Sequence, residues 1–180
     1  EFIMEWFHRL CRRIDPCVAI DFSRDTIGLI SGSAGDLVGN CSIIRRGGCS
    51  EDASAAHVYG SEIRRALGNR FFHCVIGIPM NEAFIKTVPL PGDVSPSDFN
   101  KLRQWALSYV PLDDATVRVA VDINAIGANH SHVASIVAVK REVLAWFLSV
   151  ANSAALSVEQ VTLRQCGLAA GVRRKLSLLP

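Results

Sequence analysis

This sequence lacks a surplus of either charge. Its 19 Lys and Arg face 17 Asp and Glu, a net charge of +2. That balance excludes a protein that coats nucleic acid through a broad basic surface. Long apolar runs are missing as well: no window of ~18 uninterrupted apolar residues exists, so no membrane span lies inside the sequence. The richest stretch, Val133 to Val150, is broken by Lys140-Arg141-Glu142. With 13 glycines, 7 prolines and no tracts or repeats, collagenous and low-complexity classes are excluded. Walker A, GxGxxG, GxSxG and HExxH motifs are all absent, as is any C-x-x-C pair. What remains is a chain of 180 residues that is 49% hydrophobic. Its mean hydropathy is +0.25. A chain of this size can bury roughly 65–70% of its unfolded surface, so a substantial core is expected.

The six cysteines, Cys11, Cys17, Cys41, Cys49, Cys74 and Cys166, are scattered. In a domain of this length they read as reduced thiols buried as small hydrophobes. His8, Cys11 and Cys17 lack a fourth ligand and a standard zinc spacing, so no metal site is assigned. No secretory signal pattern occurs, and Glu1-Phe2-Ile3 reads as a cloning remnant ahead of Met4. Residues 1–14 carry Phe7, Leu10 and Ile14 at helical spacing beside Arg9, Arg12 and Arg13. This amphipathic helix is expected to cover a sheet edge, with a membrane surface or a partner as the alternative.

Further along, the pattern predicts three short strands at Cys17–Ser23, Thr26–Ile30 and Leu37–Arg46. The turns between them are too short for anything but an antiparallel meander. Ser50 caps a helix whose stripe is Ala56, Tyr59, Ile63 and Leu67, closed by Gly68-Asn69. Phe71–Ile78 is apolar on both alternating sets, as in a central strand covered on both faces and parallel to its neighbour. A strand over Ala83–Val88 follows. Ser95-Pro96-Ser97-Asp98 then starts a helix with Ser at the cap and Pro at the first position. Phe99, Leu102, Ala106 and Tyr109 form its stripe, and Pro111 ends it. Strands over Val117–Ile123 and His132–Val139 lead to a helix over Glu142–Ala154 with Val143, Phe147, Val150 and Ala154 on one face. A strand over Leu156–Leu163 and a small-residue helix over Gln165–Lys175 complete the order βββαβ, βαββα, βα.

Chemistry is sparse. His57, His130 and His132 have no Ser or Cys at a motif spacing and read as satisfied or solvated. Asp21 alone is well placed, at the end of the first strand before a tight turn. A phosphate there needs close backbone approach, usually over glycine. The residues that follow are Phe22, Ser23 and Arg24. Phe22 is expected to block that approach, so the turn reads as a poor phosphate binder.

The stretch Val75-Ile76-Gly77-Ile78-Pro79, continuing through Ala83–Pro91, resembles PilM, the actin-like cytoplasmic family of type IV pilus machines. So do the helix carrying Trp105 that ends at Tyr109-Val110-Pro111, and the register from Val133 to Glu159. The cytoplasmic domains of GspL proteins of type II secretion, and of BfpC-like pilus components, share this plan. The resemblance implies an α/β fold, a truncated actin-like (ribonuclease-H-like) subdomain of mixed sheet with a small inserted βαββα subdomain. On that basis 15–79 with 156–175 forms the actin-like part, 80–155 the insertion, 1–14 a terminal helix and 176–180 a tail. Where PilM has an Asp-Ile-Gly-Ser-like phosphate loop, only Asp21 and Ser23 match, as vestigial positions. The second half that would complete a nucleotide cleft is also expected to be missing. Leu176-Ser177-Leu178-Leu179-Pro180, behind basic Arg173-Arg174-Lys175, is similar to the peptide that opens PilN. It implies a native chain continuing into a membrane span, or else a frayed end.

The resulting expectation is a non-enzymatic scaffold on the cytoplasmic face of the bacterial inner membrane. It carries no cofactor and does not bind nucleic acid. Its expected partners are a cytoplasmic secretion ATPase, inner-membrane pilus or secretion proteins, and a second copy of itself. Trp105, Tyr109, Leu178, Leu179 and Pro180 are its candidate contact residues, with core packing the competing role for Trp105. The alternatives are a nucleotide-binding actin-like ATPase fragment and a nucleic-acid binder of ribonuclease-H-like fold.

Overall fold

The computed structural model describes residues 17–23, 25–32, 41–45, 53–68, 72–95, 97–126 and 131–163. The helices expected over 4–14 and 165–175 and the tail 176–180 lie outside these residues. The chain divides into two compact units. One spans Glu1–Pro79 with Ala145–Pro180, the other Met80–Leu144.

The first unit is built on a five-stranded sheet. Its members are β1 (Cys17–Phe22), β2 (Thr26–Gly32), β3 (Cys41–Arg45), β4 (His73–Ile78) and β8 (Ser157–Leu163), in the order β3-β2-β1-β4-β8. β1, β2 and β3 pair antiparallel, while β4 runs parallel to β1 and to β8. The short connection from Phe22 to Thr26 forces the first pairing. Helical crossovers, α1 (Ala53–Leu67) before β4 and α3 (Arg141–Ser153) before β8, permit the parallel ones. Strand alternation gives the sheet one fully buried face: Val18, Ile20, Phe22, Ile27, Leu29, Cys74, Ile76 and Ile78 are nearly inaccessible. Phe22 packs there on Phe147 at 4.6 Å and on Trp146 at 5.8 Å between ring centroids. Tyr59 of α1 meets Trp146 edge-on at 6.2 Å. Ala19, Asp21, Gly28, His73 and Gly77 occupy the other face, half-buried.

Two details of α3 differ from the sequence pattern. Its buried side chains are Trp146, Phe147, Val150 and Ala151, while Val143 is only half-buried. Leu144 and Ala145 also straddle the division between the units, whereas the sequence pattern closes the insertion at 155. The last turns of α3 serve the five-stranded sheet because Phe22 draws Trp146 and Phe147 onto it. The helix ends without glycine: Leu156 N–H reaches back to Ala151 C=O at 3.0 Å, and Ala155 takes a left-handed φ of 58°. α1 ends as expected, with Gly68 at φ 73°.

The second unit is a three-stranded antiparallel sheet, β5 (Ala83–Pro89), β7 (Ser131–Lys140) and β6 (Val117–Ile126), in the order β5-β7-β6. α2 (Phe99–Leu107) covers one face. Val88, Ala106, Val110, Ile136 and Ala138 form its core, with Phe84, Trp105, Tyr109, Val119 and Val121 packed against it. The cap of α2 is Asp98 rather than Ser95, its carboxylate accepting from Lys101 N–H at 3.0 Å. Ser95 instead closes the preceding turn through Asp98 N–H at 3.1 Å. An aspartate is an equally good cap, and it stands three residues nearer the apolar run. Phe99 leaves the expected stripe and is 78% exposed, a turn ahead of buried Leu102 and Ala106. Among the described residues no helix is long and apolar enough to cross a membrane.

Candidate functional site

Asp21 and Ser23 sit where the sequence places them, at the exit of β1. Successive strand residues face opposite ways, so the carboxylate of Asp21 lies on the half-open face and the ring of Phe22 in the core. The obstruction expected of Phe22 is therefore not there, because apolar burial holds its ring on the far side of the sheet. Ser23 closes the turn instead. Its N–H donates to Thr26 C=O at 2.9 Å. Its hydroxyl donates to the same carbonyl at 2.9 Å and accepts from Thr26 N–H at 3.1 Å. Two hydroxyls, Ser23 Oγ and Thr26 Oγ1, also meet at 2.7 Å. The N–H groups of Ser23 and Thr26 are thus engaged inside the hairpin.

Asp21 is flanked in register by two glycines, Gly28 on β2 and Gly77 on β4. A Cβ at Gly28 would stand 3.6 Å from the Asp21 Cβ. The acid therefore lies between two positions without side chains. Glycine inside a strand pattern is a sequence signal of close approach, and Gly28 and Gly77 carry it here.

Trp105 and Tyr109 come together on α2 and the turn after it, edge to face at 5.4 Å between centroids. Both are half-buried and packed on the second unit's core. Lys86 lies over the Tyr109 ring at 4.8 Å from its centroid. The outcome is an aromatic pair with one side in the core and one side open, topped by a cation. Leu178, Leu179 and Pro180 lie outside the described residues, as do His8 and Cys11.

The sequence pattern contained no hint of a third cluster. The pairing of β4 with β8 slips between Cys74 and Val75, leaving Glu159 as the extra residue of a bulge. Its carboxylate meets His73 Nδ1 at 2.6 Å and accepts from the Ser157 hydroxyl at 3.3 Å. Beside it, burial and then the charge of Glu159 push the Cys74 thiol up to about 12. Such a thiol is held neutral and unreactive. Among the described residues, no group of three or more His, Cys, Asp or Glu side chains is arranged to hold a metal ion.

The order β3-β2-β1-β4-β8, with a crossover helix before each parallel strand and a β-α-β-β unit inserted after the fourth, is an α/β fold of actin-like plan. No protein-family model and no curated protein matches the sequence. Solved structures do match the fold. One is the cytoplasmic domain of EpsL, an inner membrane component of the type II secretion system of Vibrio cholerae. It is similar at a TM-score of 0.58 and 18% identity, over 83% of this chain and 57% of that one. Another belongs to a PilM–PilN type IV pilus biogenesis complex, at a TM-score of 0.66 and 12% identity, over 83% of this chain and 47% of that one. The chain thus spans less than two thirds of either structure, and at these identities the likeness is one of fold. It is the fold that the resemblance to PilM and GspL implied.

Proposed function

We propose that this domain is a non-enzymatic scaffold of a type IV pilus or type II secretion assembly, on the cytoplasmic face of the inner membrane. The observation that carries the reading is the shared fold with the PilM–PilN complex structure, at a TM-score of 0.66 over 83% of the chain. The turn after Asp21 supports a role without nucleotide, since the N–H groups of Ser23 and Thr26 serve the hairpin. The domain then works by surface recognition. A secretion ATPase and inner-membrane components are its partners. The half-open pair Trp105 and Tyr109 is the anchor offered by the second unit, and Leu178-Leu179-Pro180 the contact of the tail.

A pull-down of the full-length protein from solubilised membranes tests this. Recovery of a secretion ATPase together with membrane components supports the scaffold. Recovery of neither, from membranes in which the protein is folded, removes it. Tyr109→Ala is expected to lower recovery of one partner at least several-fold while the domain stays folded.

A further inference from the structure

The second unit presents an edge that other sheets blunt. β6 is an outer strand of ten residues and contains no proline. The opposite edge, β5, has seven residues and ends in Pro89. Among the described residues, β6 pairs with no strand other than β7. A long, regular outer strand is a template for pairing with another strand.

The residues of β6 specify which strand fits. Arg118, Ala120 and Asp122 alternate along the face away from α2 and are exposed. Val117, Val119, Val121 and Ile123 alternate along the other face, where Val119 and Val121 join the core under α2. Read about Ala120, the segment Arg118-Val119-Ala120-Val121-Asp122 has the same apolar pattern in both directions and opposite charges at its ends.

We propose that two copies of this chain pair through β6, antiparallel about a twofold axis at Ala120. Each Arg118 then lies opposite Asp122 of the partner copy, and each Val119 opposite its Val121. The two three-stranded sheets become one of six strands. Charge selects this register among its neighbours. A twofold axis at Arg118 sets two arginines opposite each other, and one at Asp122 sets two carboxylates opposite each other. Like charges directly opposite are unfavourable. A twofold axis at Val119 or Val121 pairs neither charge with its complement. Asp122 also engages a group of its own chain, and an exposed carboxylate has acceptor sites for both. Because the ladder is short and its ion pairs are exposed, the dimer is weak and salt-sensitive. The inference stands on β6 alone, apart from the scaffold reading.

Sedimentation equilibrium of the 180-residue chain up to about 200 μM tests it. A monomer–dimer equilibrium is expected. Arg118→Asp and Asp122→Arg should each weaken it by about tenfold or more, since either change makes both charge pairs repulsive. An equimolar mixture of the two variants should recover the dimer, because Asp at 118 of one chain then meets Arg at 122 of the other, while the unchanged Asp122 of the first meets the unchanged Arg118 of the second. Ala120→Cys, tested separately under mild oxidant, should give a 120–120 disulfide. Self-opposed residues lie about 4.5–5.5 Å apart at Cα, within disulfide reach. A chain monomeric throughout, a dimer indifferent to both charge changes, a mixture that stays monomeric, or cross-links that avoid residue 120 would each overturn the proposal. Should a charge variant fail to fold, the cysteine variant decides alone.

Discussion

Alanine in place of glycine inside a helix ordinarily stabilises by about 0.5–1 kcal/mol, because the unfolded chain loses freedom. Gly60, in the middle of α1, is expected to behave in the opposite way. A Cβ there would stand 2.4 Å from the Ser153 Cβ, and 2.9 Å from both the Ser153 carbonyl carbon and the Val150 carbonyl oxygen. The shortest of these is about 1 Å less than an ordinary 3.4 Å contact. Two of the three atoms are backbone, so no rotamer change relieves them, and α1 must move off α3. A gap of 0.5–1 Å forfeits a quarter to a half of the dispersion energy in each contact it opens. The contacts at stake include Tyr59 on Trp146. Overpacking of this kind costs about 1–3 kcal/mol. After the helix-propensity gain, Gly60→Ala should lose about 1–2 kcal/mol, or about 2–8 °C in Tm. Urea unfolding followed by tryptophan fluorescence reads this directly. Gly92→Ala is the control, since no atom lies within 4 Å of its Cβ position. A Gly60→Ala protein as stable as the parent, or more so, would refute the close helix crossing.

Ala155→Gly should raise stability by about 1 kcal/mol, since Ala155 holds a left-handed φ of 58° that glycine adopts without strain; thermal unfolding checks it. Asp98→Ala should cost about 1 kcal/mol in urea unfolding, through loss of the cap on Lys101 N–H. Alkylation of native Cys74 at pH 8, followed by mass spectrometry, should run roughly a thousandfold slower than at an ordinary thiol. The same burial has a sign in pH. Cys74 is raised from 9.0 to about 12 on folding, so its contribution to stability is complete below pH 9 and is lost as pH rises toward 12. Comparing alkaline unfolding with that of Cys74→Ala isolates this loss, with a slope of at most ~1.4 kcal/mol per pH unit.

Most elements were legible because their signals are local. The Arg24-Asp25 turn, the glycine after α1 and the apolar alternation of β1 and β4 each fix a short stretch of backbone. What escaped depends on contacts distant in sequence. Nothing near Val143 says that Trp146 and Phe147 will turn toward Phe22. Nothing in Ser157-Val158-Glu159 says that a bulge will carry Glu159 to His73, 86 residues away. Asp21 was found because a carboxylate at a strand end is a local pattern. The side of the sheet taken by Phe22 also follows from strand alternation, which leaves the turn to Ser23. The capping error at Ser95 arose from two good caps in one short segment, of which only the packing of Leu102 and Ala106 selects one.

Under the proposed function the domain's surface meets proteins and the turn at Asp21 holds no phosphate. Calorimetry of ATP with Mg²⁺ titrated into the full-length protein addresses this most directly. No saturable heat is predicted, for the parent or for Asp21→Ala. Saturable binding that disappears in Asp21→Ala would contradict the account.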